Sequence, residues 1–280
     1  MSTQVPAPVQ PTPRKSHALR TTLIVIGSVL LLLLIASVIV NIVTALTRTD
    51  ASGTYEVGES FESIRLDADA SDVDVSFADV SEPTITFDQT DSNRAVTFEQ
   101  GVRGDELRIV ANSRGGFFPF GFWPWGVSDS STIDLVLPEA MNDGSLSLDL
   151  TSAAGNMSVD GDFADVTVSL TAGNLDLVGS ADVATLESTA GNVRIDDFAA
   201  TELTVDSTAG DVRVELTELP DELQFSSVAG NQEVVLPDGE YRINTDTVAG
   251  NVTIDVPSDP NAERVYHFES VAGDIRILNR

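Results

Sequence analysis

Apolar and polar residues alternate with a period of two through most of the chain beyond residue 60, and the alternation breaks at one recurring phrase. The phrase is Ala-Gly followed by Asn or Asp: Ala154-Gly155-Asn156, Ala172-Gly173-Asn174, Ala190-Gly191-Asn192, Ala209-Gly210-Asp211, Ala229-Gly230-Asn231, Ala249-Gly250-Asn251 and Ala272-Gly273-Asp274. Its glycines step by 18, 18, 19, 20, 20 and 23 residues. A nearly fixed period of this size marks stacked supersecondary units. Five residues before each Gly stand Leu150, Val168, Leu186, Val205, Phe225, Thr245 and Phe268; three before stand Ser152, Leu170, Ser188, Ser207, Ser227, Thr247 and Ser270. Two after stand Met157, Leu175, Val193, Val212, Gln232, Val252 and Ile275; four after stand Val159, Leu177, Ile195, Val214, Val234, Ile254 and Ile277. The residues between them are mostly polar, which predicts two strands per repeat with one face turned inward.

The Ala before each Gly and the residue two after it both fit the inward set, yet they differ by an odd number. The period of two is therefore broken at Gly-Asn, and a parity break requires a corner or bulge. Gly permits the positive φ of such a corner, and Asn or Asp tolerates left-handed backbone. Small Ala and Ser are expected on the inside of the corner. The picture is all-β, a parallel β-solenoid or β-helix-like stack, with right-handed coiling expected from the preference of parallel crossovers. Regular repeats are expected over 145–280, spanning about 30 Å at about 4.8 Å per coil. Read in chain order, the stack ends on Ile277-Leu278-Asn279, leaving an open edge.

Upstream, Phe61 to Leu66, Val73 to Val75, Thr84 to Phe87, Ala95 to Phe98, Leu107 to Val110 and Ile133 to Leu137 read as further short strands. Ala70-Ser71-Asp72 is a degraded copy of the phrase, with Ser for Gly. Arg114 to Gly126 is different in kind. It packs Phe117, Phe118, Phe120, Phe122, Trp123 and Trp125 among Gly and Pro residues that forbid a regular element. So many rings suit a membrane interface, a protein or glycan ligand met by ring faces, or a cap on the solenoid core.

The N-terminal part obeys another pattern. Residues 1–21 are polar and Pro-rich and predict a disordered cytoplasmic tail. Residues 22–46 form one uncharged apolar run, long enough for a transmembrane helix. Arg14, Lys15 and Arg20 precede it, which places the N-terminus in the cytoplasm and the rest outside. A cleaved signal peptide is the rival, with Val43-Thr44-Ala45 as a cleavage site. Residues 47–60 read as a juxtamembrane linker before a β-strand-repeat ectodomain over 61–280.

Charge narrows the function. From Asp50 onward, 11 arginines against all 44 acids leave −33, which repels nucleic acid and anionic headgroups. With no cysteine and only His17 and His267, thiolate chemistry, a His-rich metal site and a Ser-His-Asp triad are hard to build. The corner residues Asn156, Asn174, Asn192, Asp211, Asn231, Asn251 and Asp274 would form either a structural hydrogen-bonding ladder or a row of weak Ca²⁺ ligands. Five neutral Asn favour the ladder, and no cofactor is expected. Acid pairs such as Asp196-Asp197, or Asp160 with Asp162, admit a polysaccharide-active enzyme. Acids are so abundant here that these pairs carry little information, and no catalytic residue is assigned.

The Ser/Thr-x-Ala-Gly-Asn/Asp-x-x-Val/Ile phrase, with the run from Leu66 to Val75, resembles the bacterial "putative adhesin" family of β-strand repeats, a domain of unknown function. The resemblance covers roughly 55–280, and Leu170 departs from it where Ser or Thr is usual. An N-terminal anchor before such a domain, in a chain with Lys15 as its one lysine, is similar to actinobacterial members. It implies no catalytic residues. The expectation is a non-enzymatic, membrane-anchored cell-surface protein for adhesion or envelope contact. An accessory protein in envelope-stress signalling, acting through a membrane partner, is the alternative.

Overall fold

The computed structural model describes residues 52–89, 96–113 and 131–280, which fall in the compact unit Asp50–Arg280. The polar tail, the apolar run 22–46 and the ring-rich segment with Phe117, Phe118, Phe120, Phe122, Trp123 and Trp125 lie outside the described residues. Among the described residues no helix is long and apolar enough to cross a membrane.

The unit is all-β. Its strands are β1 (Gly53–Glu56), β2 (Ser63–Ala78), β3 (Thr84–Asp88), β4 (Val96–Arg103), β5 (Glu106–Ser113), β6 (Ser131–Pro138), β7 (Ser147–Ala154), β8 (Met157–Ala172), β9 (Leu175–Ala190), β10 (Val193–Ala209), β11 (Val212–Leu216), β12 (Glu222–Ala229), β13 (Gln232–Leu236), β14 (Arg242–Ala249), β15 (Val252–Ile254), β16 (Val265–Ala272) and β17 (Ile275–Asn279). Each coil has an inbound arm running into the Ala-Gly-Asn corner and an outbound arm leaving it. Strands β8, β9 and β10 are long because each joins an outbound arm to the next inbound arm. The coils pair in parallel and in register, as in Met157 opposite Leu175, Leu175 opposite Val193 and Val193 opposite Val212. This is the solenoid-like stack that the alternation predicts.

The core is the inward column of every coil. Leu150, Val168, Leu186, Val205, Phe225 and Phe268 are buried before the corner, and Val159, Leu177, Ile195, Val214, Val234 and Ile277 after it. Phe225 and Phe268 stack with centroids 5.3 Å apart, and so do Tyr241 and Tyr266.

Three expectations need correction. First, the start of the stack is not wholly parallel: β2 runs parallel to β5 and β6, but β3 runs antiparallel to β6 and to β1, and β4 runs antiparallel to β5. Short antiparallel strands there cover the first coil, and the outermost, β1, is only four residues long. Second, the coils do not follow chain order. Strand β16 lies between β12 and β14, and β17 between β13 and β15. The C-terminal Ile277-Leu278-Asn279 is therefore inside the ladder, and the outermost coil is β14–β15. Arg280, after β17, is tied to the inner coils, pairing with Glu215 at 3.3 Å and with Asp197, while its N–H donates to the Leu236 carbonyl. Third, Ala172, Ala190, Ala209, Ala229, Ala249 and Ala272 are exposed, not inward. The chain has already begun to turn at that residue, so the inward set stops two places earlier, at a Ser or Thr in most coils and at Leu170 in one. The parity break remains, because Ser188 and Val193 are both buried and stand five residues apart.

Candidate functional site

Two surfaces of the stack carry repeated polar chemistry: the corner and the outer face of the inbound arms. At the corner, glycine is required by contact as well as by conformation. Gly191 has φ 135°, and a Cβ there would stand 1.7 Å from the Gly173 carbonyl oxygen of the neighbouring coil. That carbonyl lies so close because successive coils repeat the same turn at strand spacing.

The residue after each Gly forms a side-chain ladder. The Asn174 N–H donates to Asn156 Oδ1 at 3.1 Å, Asn192 to Asn174 at 3.1 Å, and Asp211 to Asn192 at 3.0 Å. Asn231 then donates to Asp211 at 2.8 Å, Asp274 to Asn231 at 3.0 Å, and Asn251 to Asp274 at 2.8 Å. The order 231, 274, 251 repeats the displaced coil order. At the other end the Asn156 N–H donates to Asp72 Oδ1 at 2.7 Å, so the degraded Ala70-Ser71-Asp72 copy occupies the same corner. A Cβ on Gly155 would meet the Ser71 carbonyl oxygen at 2.1 Å. Each ladder oxygen thus satisfies an amide that the turn would leave without a strand partner. Among the described residues no group of three or more His, Asp or Glu is placed to hold a metal ion.

The inward hydroxyls just before the corner behave differently. Ser152 Oγ donates to the Ala154 carbonyl at 3.0 Å. In contrast, Ser188, Ser207 and Ser227 have buried hydroxyls with no protein partner. No base lies beside them among the described hydrogen bonds, and their regular spacing is that of a packing column.

The outer face of the inbound arms holds a groove of about 540 Å³ crossing several coils. One rim is the column two places before Gly: Thr171, Thr189, Thr208, Val228, Val271 and Val248 in spatial order. The other is the column four places before Gly: Ser169, Glu187, Asp206, Ser226, Glu269 and Asp246. In-register pairing sets Glu187 beside Asp206, and Glu269 beside Asp246. Alternation makes these residues outward-facing in sequence, but only the coil order shows which carboxylates are neighbours and that the valines are contiguous. The sequence reading missed this groove because solvent-facing columns look like generic acidic exterior.

Elsewhere on the surface, Asp134 lies opposite Asp74 on β2. Partial desolvation, then the charges of Asp74 and Asp88, raise its pKa above the ordinary carboxylate value. Burial does the same to the Tyr241 and Tyr266 phenols; the Tyr266 hydroxyl donates to the Pro220 carbonyl at 2.7 Å.

No curated protein matches this chain. Solved structures do. A Bacteroides fragilis protein described as a "putative adhesin" is 12% identical over 82% of this chain and 98% of its own, with a TM-score of 0.43. A "putative adhesin" of Parabacteroides merdae is 10% identical over 79% and 95%, with a TM-score of 0.41. A "putative lipid binding protein" of Parabacteroides distasonis is 12% identical over 83% and 98%, with a TM-score of 0.36. The family model described as Toastrack DUF4097 matches residues 61–279, the whole of the strand-repeat region, and the chain belongs to that family.

Proposed function

We propose that the protein is a non-enzymatic cell-surface module that adheres to a hydroxyl-rich polymer, a glycan, through the groove on its inbound arms. The observation that carries this reading is the groove itself, where Thr171, Thr189 and Thr208 face Ser169, Glu187 and Asp206 in continuous columns. Hydroxyls donate and accept, and carboxylates accept. Repeated at about 4.8 Å, the three threonines, each with a Ser, Glu or Asp oxygen on its own arm, offer an extended ligand similar contacts over three coils. Columns of hydroxyls and carboxylates spread over several coils suit adhesion better than turnover, which needs one distinct acid and one distinct base. Anchoring by residues 22–46, with the N-terminus cytoplasmic and residues 61–280 outside, belongs to the same proposal and rests on the apolar run and its basic flank.

The test is binding of the purified full chain to a panel of immobilised polysaccharides, scored for both retention and release of reducing ends. Retention without release is expected. Failure to retain any polysaccharide, or release of sugar by the chain, would overturn the reading.

A further inference from the structure

We infer that the open end of the solenoid, the β14–β15 coil, is a self-association surface that takes a second copy of this chain across a two-fold axis through the Gly250 corner. Ser258 and Asp259 lie over its far part at Ile243 and Tyr241, but beside the corner the core is uncovered among the described residues. Val252 and Ile254 are 38% and 40% exposed, whereas Val212, Ile275, Val214 and Ile277 at the same coil positions are 0–2% exposed. Val248 beside them is 81% exposed.

Its backbone is open in a definite pattern. The Arg242 N–H donates to the Arg264 carbonyl, so Arg242 and the residues alternating with it face β16. The Asn251 carbonyl accepts from Ile275 N–H, and Asp255 N–H donates to the Ile277 carbonyl, so those positions face β17. The Ile243 N–H is held by Ser258 Oγ at 3.1 Å. Alternation leaves the amides of Thr245, Thr247, Val252 and Ile254 directed away from the stack.

These four groups complement one another. A two-fold axis along the corner lays β14 of one copy antiparallel on β15 of the other. Thr247 then falls opposite Val252 and Thr245 opposite Ile254. Both are hydrogen-bonded pairs, and all four side chains turn into the shared core. The match exists because Thr247 and Val252 stand five residues apart across the parity break. On the outer face Asp246 meets Thr253, Asn244 meets Asp255 and Val248 meets Asn251, with no like charges opposed. Pairing β14 on its own copy about Asp246 would instead oppose two carboxylates, which destabilises a sheet. Each copy carries −33 beyond residue 49, so long-range repulsion opposes the contact and salt relieves it. A basic strand from another protein would show the reverse salt dependence.

The chain has no cysteine, so engineered thiols report cleanly. In the full chain purified in mild detergent, Asp246→Cys with Thr253→Cys sets a non-hydrogen-bonded pair about 4.5 Å apart across the interface, within disulfide range. Oxidation should yield a covalent dimer. Glu269→Cys with Arg276→Cys, the same positions one coil inward, should stay monomeric. Val252→Lys with Ile254→Lys should lower the dimer fraction in light scattering at least tenfold with an unchanged circular dichroism spectrum. Added salt should raise the dimer fraction of the unmodified chain. Equal cross-linking of both thiol pairs, no cross-link at 246–253, or dimers that persist in the lysine variant or dissolve with salt would each overturn the inference.

Discussion

At the scale of single residues, the corner glycine and the inward serine make opposite predictions. Gly191→Ala places a methyl against the Gly173 carbonyl at positive φ, and should destabilise by about 3 kcal/mol or more in chemical denaturation. Ser207→Ala removes a buried hydroxyl with no protein partner and leaves a small side chain in a small space. It should be neutral or stabilise by up to about 1 kcal/mol. The sequence made the glycine legible, because φ and the parity break both demand it. It misplaced the neighbouring Ala, because alternation alone cannot tell which residue begins the turn. Asp134 gives a pH test. Its raised pKa means the folded state holds the proton more tightly than the unfolded chain. Its favourable contribution is complete below the ordinary carboxylate pKa and is lost as pH rises through the folded value. Asp134→Asn should therefore raise stability near neutral pH, by no more than about 0.5 kcal/mol because the pair is exposed and screened by solvent. In thermal melts the gain should vanish in acid.

At the scale of elements, the displaced last coil governs cohesion. Strands β14 and β15 pair only with β16 and β17 among the described strands. Ending the chain after Arg264 should strip amide-exchange protection from Arg242–Ile254 and leave β8 and β9 protected, as hydrogen exchange with mass spectrometry would show. Loss of protection confined to β12 and β13 would contradict the pairing. The two arms and the corner were readable, since every coil repeats the same inward positions. The order of coils was not, because each carries nearly the same phrase and each fits beside any other. Side-chain chemistry held the clue: Phe225 and Phe268 favour adjacency, while Thr245 and Thr247 leave the 242–254 coil with the poorest inward face, suited to an end.

At the scale of the whole molecule, the described unit separates structure from contact. The Asn/Asp ladder and the glycine corner are taken up with holding coils in register. The groove columns make no such demands on the fold and face solvent, and the −33 beyond residue 49 keeps the exterior hydrated. The sequence displayed the ladder plainly and the groove poorly, because a ladder repeats one residue type whereas the groove is defined by which coils adjoin.

Ligand binding is proposed to run through the groove, not the corner. It is tested by polysaccharide affinity of the full chain carrying Thr189→Tyr with Thr208→Tyr, which fill the groove from outside the core, against Asn174→Ala with Asn192→Ala, which cut the ladder. Each ladder cut should cost about 1 kcal/mol of stability. At a temperature where both variants are folded, the tyrosine pair should lose at least tenfold in affinity and the alanine pair should change less than twofold. Unchanged binding by the tyrosine pair, or a larger loss from the ladder cut, would contradict it.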